Sequence, residues 1–182
     1  GDGFLKAVEE SFGASVAGKS VFVLGTGGAG RAIALACAGS GVTSISLADA
    51  DGDRCRKLAV EIETKFFIEK VNVVSGAGEP SRAARDADVV VQATPVGMKA
   101  DEASLLGPEA FRGGQWAFDL IYMYPETAFM KAAKKGGAKT ANGLGMLLYQ
   151  GASAFEIWTG VKPPVDVMRK ALEKEVYGGK NA

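Results

Sequence analysis

The stretch VFVLGTGGAG, residues 21–30, puts four glycines directly behind a run of apolar side chains. Gly25, Gly27 and Gly30 fall in the order G-x-G-x-x-G with Gly28 added, and the small apolar run GAGRAIALACA overlaps its end. A chain so built must turn sharply from a strand into a helix with a bare first turn. Gly25 permits the turn, Gly27 lets backbone approach a pyrophosphate, and Gly30 lets the helix lie close on the sheet. Unpaired N–H groups and the positive dipole end then face an anion. Such a turn also serves as a tight connection with no ligand. The next apolar run weighs toward the ligand, because it ends in LADAD and sets Asp49 where a dinucleotide-binding unit keeps the carboxylate that accepts the adenosine ribose hydroxyls.

Short apolar runs alternate with helix-period segments along the rest of the chain, the pattern of βα units on a parallel sheet buried on both faces. Strands are predicted at 20–24, 44–48, 70–74, 88–92, 115–118 and 139–140. Helices are predicted in the opening GDGFLKAVEESFG, over 28–38, and from Asp53 along the stripe Leu58, Ile62 and Phe66. Further helices are predicted over 125–136, with Pro125 in the first turn, and over 144–158 and 164–176. The closing GGKNA reads as a frayed tail. The predicted class is α/β, Rossmann-like and doubly wound, with a mostly parallel six-stranded sheet and helices on both faces.

With 182 residues, 47% of them hydrophobic and 23% charged, one core is expected. Lys plus Arg and Asp plus Glu number 21 each, so no net charge marks the chain for nucleic acid or an anionic membrane. The partner class left is a small molecule. No apolar run is long enough to span a bilayer and no signal segment leads the chain, so the expected location is the cytoplasm. Cys37 and Cys55 lack any metal-site or CxxC spacing and read as structural, and no metal is expected. Histidine is absent, so proton transfer must use Asp, Glu, Lys, Tyr, water or groups on another chain segment.

The residues after Asp49 speak to which dinucleotide. A carboxylate there repels a 2′-phosphate, the next residue is Ala50 rather than Arg, and Asp51 and Asp53 add negative charge, so NAD is favoured. Arg54 leaves NADP possible. A second turn, in VVVQATPVGM, carries Thr94 and Pro95 just past a strand end, where an open α/β sheet forms its ligand crevice. A plain proline turn is the alternative.

Together, GTGGAGRAI, ATPVGM, DLIYMYPETAFMKAAKKGG and NGLGMLLYQGASAFEIWTG, in that order, resemble the shikimate/quinate dehydrogenase family over essentially the whole chain. The part resembled is the C-terminal nucleotide-binding domain. The resemblance implies reversible hydride transfer between a nicotinamide cofactor and a shikimate- or quinate-class acid. It implies Gly25, Thr26, Gly27, Gly28 and Ala29 at the pyrophosphate, Asp49 at the ribose and Thr94 near the cofactor. Leu120 and Gly143 match positions at the nicotinamide half, and Tyr122 and Gln150 match positions that hold the acid. Asp49-Ala50-Asp51 replaces the Asn-Arg-Thr of NADP-using members, as in the NAD-preferring branch, while Gln92 replaces an Asn and keeps its amide.

The family moves the proton with a Lys and Asp pair. Asp2 in the opening GDG matches that Asp, although the preceding Asn-Thr is absent and a first-turn acid also stabilises a helix by itself. The Lys-bearing N-terminal domain has no counterpart in these residues. Residues 1–18 therefore read as a helix and linker leading in from that domain, and 19–182 as the dinucleotide-binding domain with closing helices. Alone, the chain is expected to bind NAD weakly to moderately and to turn over little. The other reading is a non-catalytic NAD-binding or sensing module docked on a partner chain, and a homodimer remains open.

Overall fold

The computed structural model describes residues 1–68, 70–99 and 101–178. All but the first residue of the GGKNA tail lies outside the described residues. The elements run α1 (Asp2–Phe12), β1 (Ser20–Leu24), α2 (Gly28–Gly39), β2 (Ser44–Ala48), α3 (Gly52–Lys65), β3 (Lys70–Val73) and α4 (Glu79–Asp86). They continue with β4 (Val89–Gln92), a 3-10 turn at Pro108–Ala110, β5 (Trp116–Asp119), α5 (Ala128–Lys135), β6 (Lys139–Ala141), α6 (Leu144–Thr159) and α7 (Val165–Tyr177).

All six strands form one sheet in the order β3-β2-β1-β4-β5-β6, and every pairing is parallel. The chain winds outward from β1 to β3, returns through α4 to β4 beside β1, and winds the other way. The strand order therefore reverses between β1 and β4, which opens a crevice at their carboxyl ends. Strand alternation divides the core in two. Val21, Val23, Ile45, Leu47, Val91 and Phe118 face α1, α2, α3 and α6, meeting Phe4, Ile33, Leu58 and Ile62. Phe22, Leu24, Val90 and Ala117 face α4 and α5, meeting Ala84, Phe111, Phe129 and Met130. Each large side chain so buried is worth about 1.5–3 kcal/mol. Phe4 is fully buried and meets Phe118 edge to face at 5.0 Å, so α1 is seated in the same core as the sheet.

The sheet is covered on both faces but not along its whole width. On the α4 side, Ser44, Ser46 and Asn72 border an open hollow of about 480 Å³. The reason is the brevity of α4, eight residues against the fourteen of α3 on the other side. The pattern SISLA of β2, polar on alternate residues, belongs to a half-covered strand.

Boundaries moved where side-chain chemistry outweighs pattern. The helix predicted from Pro125 starts at Ala128, because the Thr127 side chain accepts the Met130 amide and caps it. The helix predicted from Asp53 starts at Gly52, capped by Asp51, which accepts the Arg54 amide at 3.1 Å. α4, EPSRAARD, went unpredicted because it buries only Ala84 and has no apolar stripe. Cys37 and Cys55 are buried and free, and burial pushes the Cys37 thiol up to about 12.

Candidate functional site

The glycine turn leaves β1 with Gly25 at φ 95°. A Cβ on Gly25 would stand 2.8 Å from the Ala93 carbonyl carbon, and one on Gly30 would be driven into the Gly25 carbonyl oxygen. Those two glycines are demanded by the fold itself. Gly27 and Gly28 are not, since a Cβ on either meets nothing within 4 Å. Gly27 has φ −63°, open to any residue, and α2 starts beyond it with no side-chain cap and no acid in its first turn. The first-turn amides of α2 thus point past two bare residues into open space.

That space is a cleft of about 350 Å³ at the carboxyl ends of β1, β4 and β5, bordered by Gly27, Gly28 and Ala29 on one side, Thr94 below, and Leu120 and Tyr122 opposite. The larger hollow on the half-covered sheet face does not touch the glycine turn. Of the cleft's polar lining, Thr94 is fixed by Gln92, which is 2% exposed. The Gln92 carbonyl oxygen accepts the Thr94 amide at 3.2 Å and its hydroxyl at 3.0 Å, and the Gln92 amide donates to Val96 O at 2.9 Å. The amide retained at position 92 therefore shapes the ATPVG turn. Tyr122 is 38% exposed at the cleft mouth.

The other predicted residues lie outside the cleft lining. Thr26 is buried and turns inward, its amide donating to Asp49 Oδ2 at 2.6 Å and its hydroxyl at 3.0 Å. Asp49 also accepts the Asp51 amide at 2.9 Å, with the Arg54 guanidinium 3.7 Å away. Burial of Asp49 opposes its charge, but the Asp51 and Thr26 donors with Arg54 outweigh it, so its carboxyl lies below the usual range. The glycine turn and the acid are thus one hydrogen-bonded unit. Gly143 sits under the Leu120 carbonyl, where a Cβ would come 2.7 Å from Leu120 C, and its amide donates to Ile121 O at 3.2 Å. Gln150, exposed on α6, lies beside α1, where a Cβ on Gly3 would be 2.8 Å from Gln150 Cγ. Gln150 packs against α1 at Gly3, and Asp2, exposed, precedes Gly3 on that helix; neither borders the cleft.

Four cleft residues were not anticipated: Ala93, Met98, Ile121 and Met123. Their signal was position alone, since all four lie within the ATPVGM and DLIYM runs. Asp119 was also missed. It is 1% exposed at the end of β5, and burial pushes its acid up to about 6 against the Thr127 hydroxyl and Ile121 amide that favour its charge. Among the described residues, no group of His, Cys, Asp and Glu is placed to hold a metal ion, and no helix is long and apolar enough to cross a membrane.

A doubly wound parallel sheet with a bare glycine turn at its switch point, tied to an acid after the second strand, defines a dinucleotide-binding domain of the Rossmann class. Residues 143–173 match the family described as shikimate 5′-dehydrogenase C-terminal domain, and residues 20–113 match NADP oxidoreductase, coenzyme F420-dependent. The second match covers the first βα units, which many nucleotide-binding proteins share. A shikimate dehydrogenase (NADP(+)) of Methanopyrus kandleri is 40% identical over 174 residues, 94% of this chain and 60% of that protein. A Listeria monocytogenes shikimate 5-dehydrogenase in complex with shikimate and NAD superposes with TM-score 0.84 at 31% identity, covering 94% of this chain and 61% of that one. Quinate dehydrogenase from Corynebacterium glutamicum in complex with NAD gives TM-score 0.82 at 35% identity, covering 93% and 59%.

The chain belongs to the shikimate/quinate dehydrogenase family, matching its C-terminal, nucleotide-binding domain. It spans 60% of the length of the Methanopyrus relative.

Proposed function

We propose that this chain is the dinucleotide-holding half of a dehydrogenase that interconverts a shikimate- or quinate-class hydroxy acid and its ketone, with NAD preferred over NADP. One observation carries the reading: Gly27 and Gly28 are bare where the protein itself leaves room for side chains. Empty space over uncapped helix amides suits a pyrophosphate. When bound, the nicotinamide supplies or accepts the hydride. The first-turn amides of α2 hold the phosphates, and Thr94 and Leu120 wall the nicotinamide half. Asp49 has about four acceptor positions, of which Thr26 and Asp51 fill three. The fourth is left for a ribose hydroxyl.

Arg54 supports NAD because it is already engaged between Asp49 at 3.7 Å and Asp51 at 3.4 Å. A 2′-phosphate would have to pull it away and then face both carboxylates. Tyr122, at the cleft mouth, and Gln150, on the α1–α6 flank, are the proposed donors to the acid, with Asp2, next to Gly3 at the start of α1, as the proton-handling carboxylate. A lysine for the proton step is proposed to come from the part of the protein that relatives carry beyond this length. Calorimetric titration should show tighter binding of NAD than NADP, and Asp49→Ala combined with Ala50→Arg should reverse the order. Tighter NADP binding by the unaltered chain would overturn the preference. Reduction of NAD by shikimate or quinate, measured with a substrate-holding domain supplied, tests the activity, and no turnover of either acid would sink it.

A second reading is favoured by Ile157, 80% exposed, and Trp158, 83% exposed, near the end of α6. Such apolar exposure suits a surface that another protein covers. The chain would then be a non-catalytic NAD-binding module docked on a partner. Dinucleotide binding that persists while a supplied substrate domain gives no turnover would select this alternative.

A further inference from the structure

Between β5 and α5 the chain forms a strap, residues 120–127, with neither helix nor strand. It carries Leu120, Ile121 and Tyr122 to the cleft wall. Both ends of the strap meet one buried carboxylate. Asp119 Oδ1 accepts the Ile121 amide at 3.1 Å, and Oδ2 accepts the Thr127 hydroxyl at 2.6 Å. Thr127 Oγ1 in turn accepts the Met130 amide at 3.2 Å, which ties the same group to the start of α5. Asn142 pins the middle of the strap, donating to Tyr124 O at 2.9 Å.

A carboxylate in this position is expensive. Asp119 is almost fully buried, and among the described residues only those two donors hold it, which is why burial raises its acid. An apolar residue would avoid the desolvation cost, so a stabilising role alone accounts poorly for an acid here. What the acid does that an apolar residue cannot is fix two points of the strap, Ile121 and Thr127, six residues apart in sequence.

We propose that Asp119, acting through Thr127, is a positioning residue that holds Leu120 and Tyr122 against the nicotinamide half of a bound dinucleotide. The proposal rests on the dinucleotide reading of the cleft. It predicts that the strap matters for one half of the ligand only, because the adenosine and phosphate half is held by α2 and Asp49 on the other side of the crevice. Removing the hydrogen-bond chain should therefore weaken the whole dinucleotide and spare its truncated form.

The test is calorimetric titration of NAD and of ADP-ribose, which lacks the nicotinamide, into the unaltered chain and into Asp119→Asn, Thr127→Val and Thr127→Ser. All are compared at a temperature where melting curves show them folded. If the chain prefers NADP, that ligand and 2′-phospho-ADP-ribose replace the pair. The unaltered chain should bind NAD more tightly than ADP-ribose. Asp119→Asn and Thr127→Val should lose about tenfold in NAD affinity with ADP-ribose unchanged, and Thr127→Ser, which keeps the hydroxyl, should restore NAD binding. Should Asp119→Asn fail to fold, the Val and Ser pair at Thr127 carries the comparison. Equal loss of both ligands, or loss of neither, would reduce the clamp to a structural element and overturn the proposal. So would an unaltered chain that binds NAD and ADP-ribose equally, since the strap then meets no nicotinamide. An unaltered chain that binds neither ligand removes the dinucleotide reading itself, a distinct failure.

Discussion

Alanine at Gly30 and alanine at Gly27 should damage different properties of the protein, although both residues belong to one turn. At Gly30 the added methyl overlaps the Gly25 carbonyl oxygen, stands 2.9 Å from its carbon and lies 3.2 Å from Ala93 Cβ. Two of those three neighbours are backbone atoms, so α2 must lift from the sheet. Helix propensity returns up to about 1 kcal/mol, while over-packing costs about 1–3 kcal/mol and more where backbone moves. The lift also loosens Ile33, Ala34 and Cys37, which are fully buried on α2. A net loss of about 2–3 kcal/mol follows, about 4–12 °C in melting temperature for a chain of this size. At Gly27 the methyl enters open space in an ordinary backbone conformation, and the cost is the weaker N-cap of Ala, under about 1 kcal/mol. Dinucleotide affinity should instead fall at least about tenfold, because the methyl stands between amides and anion and a charge-assisted contact is worth about 1.5–3 kcal/mol. Thermal unfolding by circular dichroism and calorimetric titration with NAD and NADP read the two properties separately. Equal melting losses in both variants, or unchanged affinity in Gly27→Ala, would refute the division of the turn into fold-required and ligand-required glycines.

Asp119 should give stability a slope with pH. Its folded value of about 6 lies above the ordinary 3.8, so between these values the folded chain holds a proton that the unfolded chain has released, and stability falls as pH rises. The change is on the order of 3 kcal/mol, and Asp119→Asn should flatten that part of a urea-unfolding series; an unchanged slope would place the titration elsewhere. Gln115, fully buried, donates to Ala84 O at 2.8 Å, Arg85 O at 3.1 Å and Ala87 O at 2.6 Å and accepts the Arg112 amide at 2.7 Å. Gln115→Leu takes this partner from Ala84 O and the Arg112 amide, while Arg85 O and Ala87 O keep the Arg112 guanidinium at 2.9 and 3.3 Å, and should cost about 2–4 kcal/mol by denaturant unfolding, with dinucleotide affinity unaltered at the opposite end of the sheet.

Much of the sheet and the glycine turn was legible because both are written locally. A run such as VFVL commits to a buried strand, and Gly25 and Gly30 are consequences of a turn and a close approach within a few residues of each other. Asp49 was legible for the same reason, as a fixed distance along one βα unit. α4 was not, since EPSRAARD buries a single alanine and leaves no stripe. Pro125 was a misleading helix start because proline reports only its own φ, whereas the cap at Thr127 is defined by the Met130 amide. Gln92 drew notice only as a departure from a family pattern and Asp119 drew none, because a polar residue at a strand end looks solvated until its partners are known.

Those two residues and Asp49 turn out to share one device. Each stands at or just after a strand's carboxyl end and accepts the amide two residues on: Asp49 from Asp51, Gln92 from Thr94, and Asp119 from Ile121. Each also accepts a threonine hydroxyl: Thr26 for Asp49, Thr94 for Gln92 and Thr127 for Asp119. The short bond back to the backbone turns the chain away from the strand. The threonine then ties that turn to a further piece of the rim: the glycine turn for Asp49, the following Val96 for Gln92 through the Val96 amide at 3.2 Å, and α5 for Asp119. A crevice at strand ends is otherwise bordered by loops, the least rigid parts of a fold. An acceptor that is buried at Gln92 and Asp119 and half-buried at Asp49 ties each loop to the sheet below it. A ligand entering such a cleft would have little ordering of the loops to offset, so substitutions at these three positions are expected to alter both the shape of the cleft and its affinity for a dinucleotide.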